Sequence, residues 1–105
     1  MRIELLYFEG CPGYEELLPR LRELAVEAGS EVLLRPIETI ETAQAERFLG
    51  SPTVRVDGRD VDPGAQARTD FGLNCRIYRS AAGQARTPPE EWIRDALQRR
   101  AANTM

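Results

Sequence analysis

The chain has 105 residues, of which 42% are hydrophobic and 30% charged, so it has enough material for one core and no room for a second domain. Its formal net charge of −3 argues against a nucleic-acid partner, because that binding depends on neutralising phosphates. The absence of histidine excludes an imidazole as general base, metal ligand or activator of a cysteine.

The first elements predicted are a strand and a helix with a cysteine between them. The apolar run 3–8 is typical of a buried strand, and helical spacing of leucine and alanine predicts a helix over 14–28. Pro12 suits the first turn of that helix. Cys11 is therefore expected at the helix N-terminus with an exposed sulfur, where the macrodipole favours a thiolate. The alternative is that Cys11 is a small, buried apolar residue.

The middle of the chain predicts two further strands and a hairpin. Residues 32–37 form a strand, which Pro36 confines to a sheet edge because proline cannot donate to the ladder. The connecting helix makes this strand parallel to the first. A second helix is expected over 41–49 and a third strand over 51–56. Asp57-Gly58 then predicts a tight turn into a short fourth strand.

The last third of the chain predicts an irregular insert followed by a helix. Periodicity fades over 62–86, with a hint of a short element around Cys75. Thr87-Pro88-Pro89-Glu90 has the pattern of a capping box, and an apolar stripe then predicts a helix ending near Arg100. The domain is accordingly expected over 1–100, with a frayed tail at 101–105.

The element order and three local features resemble the thioredoxin-like superfamily. Cys11 stands where that family has its nucleophile, Pro19 stands where it has a helix-kinking proline, and Ser51-Pro52-Thr53 matches its cis-proline segment. The resemblance implies a three-layer α/β fold with a four-stranded mixed sheet and the insert before the last helix. It also implies a cis peptide bond before Pro52, with the backbone at Ser51 and Pro52 holding a partner chain by strand-like contacts.

The sequence departs from that family at the active-site motif. Cys11-Pro12-Gly13-Tyr14 lacks the second cysteine, and dithiol exchange needs another thiol. The predicted topology brings the insert to the same sheet edge, so Cys75 is a candidate resolving thiol; the alternative is a buried apolar residue under the insert. Arg76 would either lower the pKa of Cys75 or lie on the surface. The Tyr14 hydroxyl would either reach Cys11 or a ligand, or the ring would only cover the helix.

Three hypotheses about function follow. The first is a thiol–disulfide oxidoreductase with Cys11 as nucleophile, Cys75 as resolving thiol, no cofactor, and a protein or small-molecule thiol or disulfide as partner. The second is soft-metal or organomercurial binding by both cysteines, since the Tyr-Phe-Glu-Gly-Cys-Pro opening is similar to sequences labelled alkylmercury lyase. That chemistry needs a nearby aspartate as proton donor, and Asp70 is a candidate. The third is a redox-inactive adaptor.

The cellular setting is a separate prediction. Two cysteines are too few for a disulfide scaffold or a structural zinc site, and no apolar run is long enough to span a membrane. The N-terminus has the pattern of a charged strand and not that of a signal peptide. The sequence therefore predicts a cytoplasmic protein, monomeric or weakly homodimeric, that contacts neither membrane nor nucleic acid.

Overall fold

A computed structural model of the chain describes residues 1–103 as an α/β structure. The elements in chain order are β1 (Ile3–Tyr7), α1 (Pro12–Glu27), β2 (Val32–Pro36), α2 (Ile40–Ala45), β3 (Thr53–Val56), β4 (Arg59–Asp60), β5 (Tyr78–Ser80), β6 (Gly83–Ala85) and α3 (Glu90–Asn103). None of the helices in the described residues combines the length and the apolar character that a membrane-spanning helix requires.

The first four strands form one mixed sheet in the order β2-β1-β3-β4. β1 pairs in parallel with β2 and antiparallel with β3, so that Leu5 lies between Leu34 and Val54. This arrangement confirms the predicted four-stranded mixed sheet. It also confirms that the strand containing Pro36 lies at the edge.

Helices cover both faces of this sheet. On one face, buried side chains of α1 and α3 pack against β1 and β3. On the other, Ala43 of α2 packs with Leu6, Ile37 and Phe48. From β3, both Val54 and Val56 lie in the cluster with α1 and α3. Three layers result, and residues 8–11 connect the C-terminal end of β1 to the N-terminus of α1.

Helix boundaries differ from the prediction at α2 and α3. α2 ends at Ala45, four residues early, and the chain turns at Arg47, whose φ of 55° is left-handed. Phe48 is still buried, because the turn carries it into the core. α3 begins at Glu90 and not after a Thr87 cap, and the Glu90 carboxylate pairs with Arg20 at 2.6 Å.

The end of the chain also differs from the prediction. α3 continues to Asn103, three residues further than expected. The rest of the predicted tail, residues 104 and 105, lies outside the described residues.

The insert at 62–86 is more ordered than its weak periodicity indicates. A short 3₁₀ turn spans Ala65–Ala67, and β5 and β6 form a separate two-stranded hairpin. In the stretch between the 3₁₀ turn and β5, Cys75 forms an isolated parallel bridge with Ser51. The prediction of an irregular insert is therefore wrong for these segments.

Candidate functional site

Cys11 occupies the predicted position but is not exposed. It is the N-cap of α1, with Pro12 as the first helical residue, as predicted. Its relative exposure is only 2%, so the prediction of an exposed sulfur is wrong. The Cys11 Sγ donates to the carbonyl oxygen of Ser51 at 3.5 Å. Because a carbonyl oxygen only accepts, this contact belongs to the thiol form.

The segment that covers Cys11 contains the predicted cis-proline. The Ser51–Pro52 peptide bond is cis, as the resemblance implies. Gly13, in the first turn of α1, allows the close approach: a Cβ there would lie 2.9 Å from the Pro52 Cδ and 2.8 Å from the Arg86 carbonyl oxygen. Sequence reasoning missed this role of Gly13, for which the only signal is a glycine in a helical turn.

The insert is hydrogen-bonded to the other side of the same segment. The Ser51 amide donates to the Asn74 carbonyl at 2.8 Å, and the Arg76 amide donates to the Ser51 carbonyl at 2.9 Å. Cys75, between them, is thus the ladder partner of Ser51. Cys75 is exposed, so the alternative of a cysteine buried under the insert is wrong.

Ser51 consequently has both cysteines as neighbours. Its carbonyl oxygen accepts from Cys11 Sγ, and its backbone pairs with Cys75. Both cysteines are free thiols. The Ser51 hydroxyl accepts from the Phe8 amide at 3.3 Å, which ties the end of β1 to the same residue.

This pairing also corrects an expectation about partner binding. The resemblance implies that the backbone at Ser51 and Pro52 holds a partner chain by strand-like contacts. The Ser51 amide and carbonyl are instead already hydrogen-bonded to the protein's own Asn74 and Arg76. A partner strand would have to displace the insert first.

Arg76 fits neither of its two sequence-based interpretations. Its side chain is 1% exposed and is directed to Asp60 at 2.8 Å and Asp62 at 3.1 Å. It also donates to the Thr53 hydroxyl at 3.0 Å. Arg76 is therefore a buried ion-pair residue, neither on the surface nor directed at the Cys75 sulfur. The long sequence separation of these partners kept the sequence from revealing them.

Tyr78 provides another contact that sequence reasoning missed. Its hydroxyl donates to the Pro52 carbonyl oxygen at 2.5 Å, and its ring lies under the Arg76 guanidinium at 4.4 Å from the ring centroid. Burial raises the pKa of Tyr78 well above its ordinary value, so the phenol is neutral and donates its proton. Through Asn74, Arg76 and Tyr78, the insert thus contacts three consecutive residues, 51–53.

The ring of Tyr14 makes packing contacts. Its ring stacks on Tyr7, with the centroids 3.9 Å apart and the planes 6° from parallel. This packing joins the first turn of α1 to the end of β1. It favours the alternative in which Tyr14 covers the helix, since no described contact joins its hydroxyl to Cys11.

A metal ion would have few ligands at this site. Among the described residues, no group of three or more histidine, cysteine, aspartate or glutamate side chains could hold one, which leaves two thiols. The proposed proton donor Asp70 is paired with Arg68 at 2.6 Å. That hydrogen bond holds the pKa of Asp70 below its ordinary value, so Asp70 stays ionised and is a poor acid.

Comparisons of the chain with family models, with curated proteins and with solved structures give no match. The geometry around Ser51 therefore has to support any functional conclusion by itself. A buried thiol and an exposed thiol flank one residue, in a segment fixed by the N-terminus of α1 on one side and by the insert on the other.

Proposed function

We propose that this chain is a thioredoxin-like thiol–disulfide redox protein whose redox couple is Cys11 and Cys75. The main support for this proposal is that both cysteines are neighbours of Ser51: Cys11 contacts its carbonyl oxygen at 3.5 Å, and Cys75 pairs with its backbone. Paired strands lie about 4.8 Å apart, so Cys75 is one ladder spacing from the residue that Cys11 contacts. The sheet order, the cis bond before Pro52 and Cys11 at the start of α1 support the thioredoxin-like assignment.

The reaction follows ordinary thiol–disulfide exchange. One cysteine thiolate attacks a sulfur of an external disulfide, so a protein–substrate S–S bond forms, the original S–S bond breaks and one thiolate leaves. The second cysteine then attacks the sulfur of the first, which releases the remaining substrate thiolate. Two cysteine thiols have lost two electrons and two protons, and the external disulfide has become two thiols.

The surrounding residues keep the couple together while it changes state. Tyr78 fixes the Pro52 carbonyl, and Arg76 fixes both Ser51 and Thr53. Because these contacts involve neither sulfur, they can persist when the cysteines are oxidised. No histidine is required, since thiolate attack on a disulfide needs no general base once the thiol has ionised.

A thiol count after mild oxidation tests the proposal. The folded protein is treated with diamide, and the remaining thiols are alkylated and located by peptide mass mapping. We expect both cysteines to become protected together in a monomer lighter by two hydrogen atoms. Cys75→Ser is the matched control and should abolish this species. If both cysteines stay open to alkylation in the oxidised protein, the redox proposal fails and the adaptor alternative gains support.

A further inference from the structure

The two thiols differ sharply in access, which bears on the order of the reaction. Cys11 is 2% exposed, lies at the start of α1 and donates its proton to the Ser51 carbonyl. Cys75 is exposed in the insert. An external disulfide can reach an exposed sulfur without any opening of the structure, whereas attack by Cys11 requires a packed sulfur to be uncovered first.

The anchoring of the insert directs Cys75 outward. Burial alternates along this extended segment: Arg76 and Tyr78 are buried, while Cys75 and Ile77 are exposed. The buried pair is held by Asp60, Asp62, Thr53 and Pro52. The inward anchors therefore hold the backbone on either side of Cys75, while the Cys75 side chain is exposed to solvent.

The charge of the surface near this segment bears on the kind of disulfide that can approach Cys75. The Ser51 backbone edge is occupied by Asn74 and Arg76, so an extended peptide has no free partners there. A shallow groove of about 340 Å³ is lined by Leu73, which lies two residues before Cys75 in the insert, and by Phe8, which follows β1. The remaining lining residues are Glu9, Ile37 and Glu38. With two exposed carboxylates and no arginine, this groove repels anionic molecules.

We propose that Cys75 attacks first, that its substrate is a small-molecule disulfide without anionic groups, and that Cys11 resolves the mixed disulfide. This inference rests on the proposed Cys11–Cys75 couple. The Cys75 thiolate takes one half of the disulfide and releases the other half as a thiolate. Cys11 then gives up its proton, which is taken up by the thiolate already released, and attacks the Cys75 sulfur; this frees the second half as a thiolate and closes the bond between the two cysteines.

The order of attack is tested with cystamine, a small cationic disulfide. In the intact reduced protein, peptide mapping at early times should find the mixed disulfide on Cys75. Cys11→Ser, which keeps a hydroxyl donor for Ser51, should accumulate that mixed disulfide, and Cys11→Ala repeats the test if the serine variant folds poorly. Cys75→Ser should react at least about tenfold more slowly than Cys11→Ser. Equal rates, or a first adduct on Cys11, would overturn the assignment.

The substrate class is tested by charge and by chain length. Cystamine should react faster than the dianionic 3,3′-dithiodipropionate. At low salt, the ratio of the two reaction rates should fall at least about threefold in a Glu9→Gln/Glu38→Gln variant. A Glu31→Gln/Glu91→Gln variant has the same net charge and should keep the ratio. An unstructured peptide disulfide should react no faster than cystamine. A ratio unchanged by the groove substitutions, or a tenfold preference for the peptide, contradicts the proposed class.

These results are separable from the redox proposal itself. If diamide protects both cysteines but cystamine modifies Cys11 first, the couple stands and the order is wrong. If diamide protects neither, the couple fails whatever the order of modification.

Discussion

Replacing Tyr78 with phenylalanine removes one hydroxyl from the contact that links the insert to the cis-proline segment. The ring can keep its edge contact with Trp92, at 6.2 Å between centroids, and its place beneath Arg76. The loss is therefore confined to the contacts of the hydroxyl, which are the 2.5 Å hydrogen bond to the Pro52 carbonyl and a hydrogen bond with Thr53. Among the described residues, no other donor reaches that oxygen.

The expected cost follows from the burial of both partners. Tyr78 is 2% exposed and Pro52 is fully buried, so water cannot readily replace the lost donor. A net hydrogen bond contributes about 1 kcal/mol, and a buried acceptor left unpaired costs about 1–3 kcal/mol. We expect Tyr78→Phe to lower the free energy of unfolding by about 2 kcal/mol, which is a shift in Tm of roughly 10 °C for a domain of this size.

Urea denaturation followed by circular dichroism measures this change. Tyr14→Phe is the matched control, because its ring should remain stacked on Tyr7 at the half-buried start of α1. The control should lose less than about 1 kcal/mol. A loss below about 0.5 kcal/mol for Tyr78→Phe would refute the reasoning that this hydroxyl fastens the insert to Pro52.

Three further predictions concern the glycines at the site and one ion pair. Gly13→Ala should destabilise the fold by about 1–3 kcal/mol despite the better helix propensity of alanine, because the new Cβ would meet Pro52 Cδ at 2.9 Å. A variant that is more stable than the parent in thermal melts contradicts this steric argument. Gly50→Ala should speed amide hydrogen exchange at Arg76, because a Cβ at position 50 would lie 2.8 Å from the Asn74 carbonyl oxygen. The control Gly83→Ala, at a similarly positive φ but in open space, should leave that exchange rate unchanged, and equal effects of the two variants would exclude the steric cause. Hydrogen bonding to Arg20 lowers the pKa of Glu90 from 4.5 to about 2, so the ionised carboxylate stabilises the fold above the pKa of the unfolded state, and this stabilisation is lost as the pH falls towards 2. Glu90→Gln should therefore be less stable than the parent at pH 7 and equal to it near pH 2. A difference in denaturation midpoints that does not change with pH contradicts that linkage.

Local sequence signals predicted the main sheet and the position of Cys11 at the start of α1. The apolar run of β1, Pro36 at an edge and the Asp57-Gly58 turn each act through backbone preferences of nearby residues. Both turn residues have positive φ, 51° and 83°. The start of α1 at Pro12 follows from the same kind of local rule.

The features that the sequence did not reveal depend on distant partners. Arginine has no preference for the left-handed φ of Arg47, so the early end of α2 had no local signal. The insert lacks an apolar period because polar contacts to distant residues hold it in place: Arg76 binds Asp60, Asp62 and Thr53, and Tyr78 binds Pro52. The described contact of the buried Cys11 sulfur is likewise with a distant residue, Ser51, forty positions away.

A redox titration of the intact protein tests the central claim most directly. The protein is equilibrated in buffers of oxidised and reduced dithiothreitol, and both cysteines are quantified by alkylation and mass mapping. We predict one two-electron transition in which Cys11 and Cys75 become protected together, with the tenfold change per about 30 mV expected of a dithiol couple. Thiols that titrate independently, or never become linked to each other, would contradict the proposed couple.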